Sequence, residues 1–273
     1  MIEKLKIIVC IKQVPGIMEI KINPETNTLI REGIENIINP FDTYAIEEGV
    51  SLKEKLTASE GGSLDVEVIA LSMGPPHSEA ILREAISLGI DNAILLSDRA
   101  FAGSDTWATS YTLSKAIKKI EGWKIIILGK QTLDGDTGQV GPELAQILNI
   151  PFIGYASKIT EISSNKMIIK RLMEDRYETF EIRLPAAISV GKDINIPRVP
   201  SLRGKMKSKS IVIPVWGIDQ IDMDEKECGL NGSYTQVIKI FSPEHKYEVK
   251  MVHGTPDEQV NEIYSKLKEL SII

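Results

Sequence analysis

The sequence predicts an α/β protein built on a doubly wound, mostly parallel sheet, with an antiparallel extension and a C-terminal arm. Short apolar runs rich in β-branched residues recur in the first half of the chain, as expected for strands buried on both faces. Segments with helical periodicity separate these runs, which predicts right-handed strand–helix–strand crossovers. After Pro151 the pattern changes to short segments bounded by turn residues, typical of an antiparallel meander.

The first half of the chain supplies four strands and four helices in alternation. The apolar runs predict strands at residues 6–11, 65–72, 92–97 and 123–129. The periodic segments predict helices at residues 42–56, 77–89, 104–120 and 141–149. The start of the last helix is open: we favour Asp136-Thr137, with Asp136 as the N-cap, over a start at Pro142.

The second half predicts a different organisation. Residues 156–190 form the meander, which returns to a last core strand at 186–190. Residues 191–235 mix Pro, Gly and charge with little periodicity, which indicates an extended arm or surface loops. Residues 256–270 form an amphipathic helix. We therefore expect one α/β domain over residues 1–190 and an extended arm with a C-terminal helix over 191–273.

Composition excludes several classes of function. A net charge of −6 over 273 residues argues against nucleic-acid partners and anionic membrane surfaces. Two cysteines offer neither a disulfide framework nor a Cys-rich metal site. The apolar run at residues 7–11 is too short for a signal peptide or a membrane span, so we expect a cytoplasmic protein without membrane insertion. His77, His245 and His253 are scattered, and we expect neither a catalytic residue nor a metal site.

The loops that follow the four strands carry the chemistry that binds ligands. In an open α/β sheet, ligands bind beyond the carboxyl ends of the strands. Two of these loops, 101–106 and 129–141, end in Gly, Ser, Thr or Asp just before a helix, which is the chemistry of phosphate capture. The glycines at 135, 138 and 141 give G-x-x-G-x-x-G, which is neither the dinucleotide fingerprint nor a P-loop. The residues alone leave open a nucleotide site or ordinary helix capping. Asp134 and Asp136 are the close carboxylate pair here, and we do not expect them to bind a metal.

Six segments give the chain a resemblance to a known family. In the order of that family they are VCIKQVP (9–15), INPFDTYAIEEGVSLKE (38–54), LSMGP (71–75), LREAISLGIDNAILLSD (82–98), GSDTWATS (103–110) and GKQTLDGDTGQVGPELA (129–145). Along essentially its whole length the chain resembles the beta subunit of an electron transfer flavoprotein. The resemblance implies an adenine-nucleotide-binding, Rossmann-like fold, an alpha-subunit partner and electron exchange with a larger flavoenzyme.

The resemblance also implies the residues of a cofactor pocket. These are Cys10, Asn39, Pro40, Phe41, Asp42, Met73, Gly103, Ser104, Asp105, Thr106, Asp134, Gly135, Asp136, Thr137, Gly138, Gln139, Val140 and Gly141. Small residues and main-chain amides around Asp136 would hold phosphates. Cys10 and Met73 have a second interpretation as packing residues of the sheet.

Two branches of the family differ in the nucleotide they hold. Simple carriers hold AMP, whereas electron-bifurcating members hold a second FAD that NADH approaches. The D-G-D-T-G-Q-V-G-P and G-S-D-T loops resemble the bifurcating branch. This implies NAD(H) as substrate, ferredoxin as one electron acceptor and a flavin dehydrogenase of the acyl-CoA or 2-hydroxy-acid type as the other. The alternatives are an AMP-holding carrier, an ATP-consuming ligase and a universal-stress-type binding module.

The basic segment 195–210 has its own implied role. The family has a recognition loop there, whose leucine binds a hydrophobic pocket of the dehydrogenase. Leu202 stands at the matching place, and Arg203 and Lys205 would form its charged rim. The family pattern has proline where Arg203 stands here. The plain alternative is a solvated surface turn.

Overall fold

The computed structural model of the protein describes residues 4–16, 36–59, 64–239 and 249–273. The chain divides into two units, Met1–Gln236 and Val237–Ile273. Of the residues named above, His245 lies outside the described residues, as do residues 240–248 of the predicted arm.

The described strands and helices follow the predicted alternation. The strands are β1 Lys4–Cys10, β2 Gln13–Pro15, β3 Asn36–Ile38, β4 Asp65–Met73, β5 Asn92–Leu96, β6 Trp123–Gly129, β7 Phe152–Ile162, β8 Lys166–Leu172, β9 Tyr177–Arg183, β10 Ala186–Val190 and β11 Val215–Trp216. The helices are α1 Pro40–Ser59, α2 Glu79–Ser87, α3 Thr106–Lys119, α4 Val140–Leu148, α5 Leu202–Ser210, α6 Gly229–Gly232 and α7 Pro256–Glu269. Short 3₁₀ turns lie at Pro76–Ser78, Arg99–Phe101 and Glu225–Glu227.

A nine-stranded sheet forms the centre of the first unit, in the order β11-β5-β4-β1-β6-β10-β7-β8-β9. Neighbouring strands are parallel from β11 to β7, and β8 pairs antiparallel with both β7 and β9. The predicted meander and its return are confirmed, because β10 lies between β6 and β7. The fold class predicted from the sequence is confirmed.

Helices cover both faces of the sheet. Alternate residues of β1 point to opposite sides: Ile7 and Val9 belong to the apolar cluster shared with α1 and α2, whereas Ile8 and Cys10 belong to the cluster shared with α3 and α4. This two-sided burial explains why the strands read as continuous apolar runs rather than as alternating patterns.

The segment after β10 is more regular than the sequence predicts. Residues 191–235 were expected as an arm or surface loops, but they contain α5, and β11 pairs in parallel with β5 at the edge of the sheet. Long-range contacts hold this segment, and three of them lie at α5 or just before it. Arg198 binds the buried carboxylate of Glu47, with Nε 2.8 Å from Oε2, and a Cβ at Gly204 would lie 3.0 Å from the Ser87 carbonyl carbon. Lys207 Nζ donates to the Ile90 carbonyl at 3.2 Å.

The second unit contains the predicted C-terminal helix, α7. Its N-cap is Thr255, whose hydroxyl accepts the Glu258 N–H while the Glu258 side chain accepts the Thr255 N–H, forming a capping box. Nowhere in the described ranges does a helix combine the length and the apolar character that crossing a membrane requires.

Candidate functional site

The order of the strands creates a crevice at the carboxyl ends of β1 and β6. From β1 the chain moves to β4 and β5 on one side, and then returns to β6 on the other side of β1. The neighbours β1 and β6 therefore form the topological switch point, where open α/β sheets bind ligands. The loops that border the crevice are residues 11–12 after β1 and residues 130–139 after β6.

Two buried polar side chains at the start of α1 connect these loops. Asn39 donates from Nδ2 to the Gln131 carbonyl at 2.9 Å and accepts the Leu133 N–H at 3.1 Å. Asp42 accepts the Lys12 N–H at 2.7 Å and the Gly129 N–H at 3.2 Å, one on each carboxylate oxygen. Both were predicted to bind the cofactor. The structure shows their side chains bonded to the backbone of the two loops.

Burial raises the pKa values of two groups at the start of α1 and the end of β1, Asp42 and Cys10. It raises the pKa of Asp42 to about 7, against the opposing effect of the amide hydrogen bonds and of Lys12. Burial, together with the nearby Asp42, also raises the pKa of the Cys10 thiol far above its ordinary value. Cys10 is therefore a protonated thiol at neutral pH, and it packs in the apolar cluster on one face of the sheet.

The loop after β6 is exposed, and two of its residues have a left-handed backbone conformation. Asp136 and Gly138 have φ values of 51° and 63°, and residues 134–139 are exposed. A residue with such a φ cannot continue a right-handed helix. The favoured start of α4 at Asp136-Thr137 is therefore wrong: α4 begins at Val140, with Gln139 as N-cap. The less favoured alternative, a start at Pro142 with D-G-D-T-G-Q-V as a free loop, is nearer to the structure, although α4 begins two residues before Pro142.

Backbone amides of this loop remain available. Within the described part of the chain, the N–H groups of Thr137, Gly138 and Gln139 have no hydrogen-bond acceptor. They precede the N-terminus of α4, where unpaired amides and the helix dipole favour an anion. These three amides can bind a phosphate, although α4 does not begin at the residue that the sequence predicts.

The G-S-D-T loop is bound by a segment of the chain that sequence reasoning did not connect with it. Asp105 caps α3 by accepting the Ala108 N–H at 3.0 Å. Its other oxygen accepts the N–H groups of Tyr234 and Thr235 at 2.8 and 2.9 Å. The Asp105 carboxylate is thus committed to protein donors. Leu230, on α6, lies where a Cβ at Gly103 would stand.

Side chains at the starts of α3 and α4 bring the two predicted phosphate loops together. Thr106 Oγ1 lies 3.3 Å from Gln139 Oε1 and 3.1 Å from Glu143 Oε1. The other oxygen of Glu143 accepts from the Ser110 hydroxyl at 3.0 Å. Glu143 and Ser110 were missed in the sequence, because their role depends on contact between two helices.

The remaining residues that were predicted to bind the cofactor have the following positions and contacts. Phe41 lies under Lys130, whose Nζ is 4.8 Å from the ring centroid, and Pro40 is the first residue of α1. Met73 packs at the end of β4, and Gly141 lies against the Phe152 ring. Ser104 donates to the Phe101 carbonyl at 2.8 Å. Gly135 donates its N–H to Asp134, and Val140 opens α4.

Both aspartates of the D-G-D sequence have protein partners. Lys12 Nζ donates to the two oxygens of Asp134 at 2.9 and 2.6 Å, and Gln131 Nε2 donates to Asp136. Burial raises the pKa of Asp134, but the hydrogen bonds from Lys12, Thr132 and Gly135 and the charge of Lys12 together outweigh it and hold the pKa below its ordinary value. Among the described residues, no group of three or more His, Cys, Asp or Glu side chains is arranged to hold a metal ion.

The predicted partner-binding residues form the first turn of α5. Leu202, Arg203 and Lys205 are all exposed, with 78 % of the Leu202 surface open to solvent. The cap of this helix is Ser201, whose hydroxyl accepts the Gly204 N–H at 2.9 Å. Leu202 is thus displayed on an anchored helix rather than on a loop.

A family model and several known proteins match most of this chain. A family model described as "Electron transfer flavoprotein domain" matches residues 26–220. The chain is 43 % identical over 270 residues to the "Caffeyl-CoA reductase-Etf complex subunit CarD" of Acetobacterium woodii, covering 98 % of this chain and 100 % of that protein.

Two further relatives carry other names. The chain is 41 % identical to the "Electron transfer flavoprotein subunit beta" of Thermoanaerobacterium thermosaccharolyticum, over 98 % of this chain and 100 % of the relative. It is 42 % identical to "Protein FixA" of Azotobacter vinelandii, over 86 % of this chain and 83 % of that protein.

Proposed function

Because the chain belongs to the electron transfer flavoprotein family, as a beta subunit, we propose that its switch-point crevice holds FAD and serves an electron-bifurcating complex. The observation that carries this proposal is the exposed loop after β6, where three consecutive amides without acceptors in the described residues precede α4. A loop of this kind is suited to the phosphates of a nucleotide.

The residues of the crevice divide into those that hold the nucleotide and those that hold the loops. The amides of Thr137, Gly138 and Gln139 would bind the pyrophosphate, and the backbone near Cys10 and Met73 would flank the adenine. Asn39 and Asp42 would act indirectly, since their side chains are bonded to the loop backbones. When bound, FAD would supply the electron chemistry, taking a hydride from NADH and dividing the electrons between ferredoxin and a flavin dehydrogenase.

The similarity to a subunit of a caffeyl-CoA reductase–Etf complex supports the bifurcating branch, because it covers both chains almost completely. An AMP-holding carrier is the second candidate. Three neighbouring amides are also enough for a single phosphate, so the loop geometry fits AMP as well.

Reaction with NADH tests the proposed function. We expect that anaerobic addition of NADH to the complex of this chain with an alpha-type subunit bleaches the flavin absorbance. The matched control is the same complex after the nucleotide of the beta subunit has been removed, which should lose this reaction. A complex with full flavin content whose absorbance does not change with NADH would contradict the proposal.

The exposed first turn of α5 supports a second part of the proposal, a docking site for the dehydrogenase. Leu202→Ala is expected to slow electron transfer to the dehydrogenase by about thirty-fold, because a buried anchor leucine contributes on the order of 2 kcal/mol. Flavin content should not change. Transfer rates at limiting dehydrogenase concentration measure the effect.

Leu172→Ala provides the matched control, since Leu172 is an exposed leucine at the end of β8. It should transfer electrons at the wild-type rate. Equal rates for Leu202→Ala and wild type would remove Leu202 from the interface.

A further inference from the structure

We infer that Lys12 is a phosphate-binding residue of the crevice and that Asp134 holds its side chain when no nucleotide is bound. The inference rests on the proposed function, because it requires a ligand that carries phosphate. It concerns a residue outside the pocket that the family resemblance implies.

The backbone of Lys12 is held by a hydrogen bond, whereas its side chain is exposed. It follows β1 by two residues, and its N–H is bonded to the buried Asp42 at 2.7 Å. The Nζ atom extends from the loop after β1 to Asp134 in the loop after β6. The side chain therefore spans the switch-point crevice, next to the loop that carries the available amides.

The ion pair with Asp134 is one that a ligand can replace. The two side chains are 46 % and 37 % exposed, and exposed ion pairs are among the weaker interactions in proteins. Asp134 also accepts the Gly135 N–H at 2.8 Å, so it keeps a protein partner when the lysine leaves. A phosphate group offers more charge and more acceptor oxygens than a carboxylate.

Because the residues around the crevice are acidic, a phosphate ligand needs a cation close to it. The two phosphate loops and the starts of their helices carry Asp105, Asp134, Asp136 and Glu143. A pyrophosphate would bring two more negative charges to an acidic surface, which helix amides alone balance poorly. Lys12 supplies positive charge at this position, and Lys130, over the Phe41 ring, supplies it nearby.

The test compares ligands with and without phosphate. The full chain in complex with an alpha-type subunit is freed of nucleotide, and calorimetry measures the Kd of ADP and of adenosine for wild type, Lys12→Gln, Lys12→Arg and Asp134→Asn. ADP is chosen because it is the pyrophosphate-bearing half of FAD. We expect Lys12→Gln to weaken ADP binding about ten-fold, the size of one charge-assisted hydrogen bond, and to leave adenosine binding unchanged.

The other two variants separate phosphate binding from support of the loop. Lys12→Arg should retain most of the ADP affinity. Asp134→Asn should bind ADP as tightly as wild type or more tightly, because it frees the lysine while its amide oxygen still accepts the Gly135 N–H.

Three results would overturn the inference: unchanged ADP affinity in Lys12→Gln, an equal loss of adenosine affinity, or the same ADP loss in Asp134→Asn. The last would mean that Lys12 acts only by holding the loop. A wild-type complex that binds neither ADP nor adenosine would instead contradict the proposed function, so the two failures are distinguishable.

Discussion

Asp42→Ala is expected to lower the free energy of unfolding by about 3 kcal/mol at pH 6 and to release the nucleotide from the crevice. The variant removes the acceptor for the N–H groups of Lys12 and Gly129, which are held between α1 and the sheet. Each buried amide left without a partner costs about 1–3 kcal/mol. The loops after β1 and β6 would also lose a shared support, so the effect should reach the ligand. Urea unfolding and nucleotide content measure the two parts.

Asp42→Asn is the matched control, and its pH dependence gives a second readout. It keeps the shape and one acceptor oxygen, so we expect about half the loss at pH 6. Burial raises the pKa of Asp42 to about 7, whereas an unfolded chain has about 3.9. The native state thus binds this proton more tightly, and the contribution of Asp42 to stability falls as pH rises from about 4 through 7.

Between pH 5 and pH 8 the free energy of unfolding of the wild-type protein should therefore fall by about 3 kcal/mol relative to that of Asp42→Asn. Parallel pH profiles for the two proteins would contradict this account of the buried carboxyl. An Asp42→Ala variant of wild-type stability that keeps its nucleotide would show that the two loops do not depend on Asp42.

Gly129→Ala is expected to destabilise the protein by about 2–3 kcal/mol and to reduce nucleotide content. Gly129 ends β6, and a Cβ there would lie 2.8 Å from the carbonyl carbon of Phe41 and closer still to Asp42 Oδ1. Neither group can yield easily, because Phe41 belongs to α1 and the Asp42 carboxylate is bonded to the Lys12 amide. Thermal unfolding and released nucleotide measure the change.

Gly191→Ala is the control for Gly129→Ala. Gly191 follows β10, the strand beside β6, and a Cβ there would have nothing within 4 Å. It should unfold within about 0.5 kcal/mol of wild type. If the two alanine variants behave alike, then close contact between β6 and α1 is not what fixes the crevice.

The fold class was predictable because its cause is local. Strands buried on both faces must be apolar at nearly every position, as in β1 and β6, and helices that cover them must show one apolar face. These constraints act within a single element, so a short window of sequence contains them.

Helix α5 and the start of α4 were not predictable in the same way. Helix α5 buries Ser208 and exposes Leu202, so it has no apolar periodicity, and distant contacts from Arg198 and Lys207 hold its segment in place. The start of α4 did leave a signal, since Asp and Gly are the residues that most readily adopt the left-handed conformation seen at Asp136 and Gly138. Asp is also a common N-cap residue, so the same letters favour a helix start at Asp136.

The candidate site was predictable in its place but not in its internal contacts. Strand order and loop composition locate it at the ends of β1 and β6. The contacts of Asn39 with Gln131, of Asp42 with Gly129 and of Lys12 with Asp134 join residues about 90 to 120 positions apart. Such pairs arise only when the sheet has brought α1, β1 and β6 together.

Identification of the released nucleotides tests the central claim most directly. The chain is co-expressed with an alpha-type subunit, the purified complex is denatured, and the nucleotides are separated and quantified. The account predicts two FAD per heterodimer, one of them from the crevice between β1 and β6. One FAD and one AMP per heterodimer would contradict it and would make the protein a simple electron carrier.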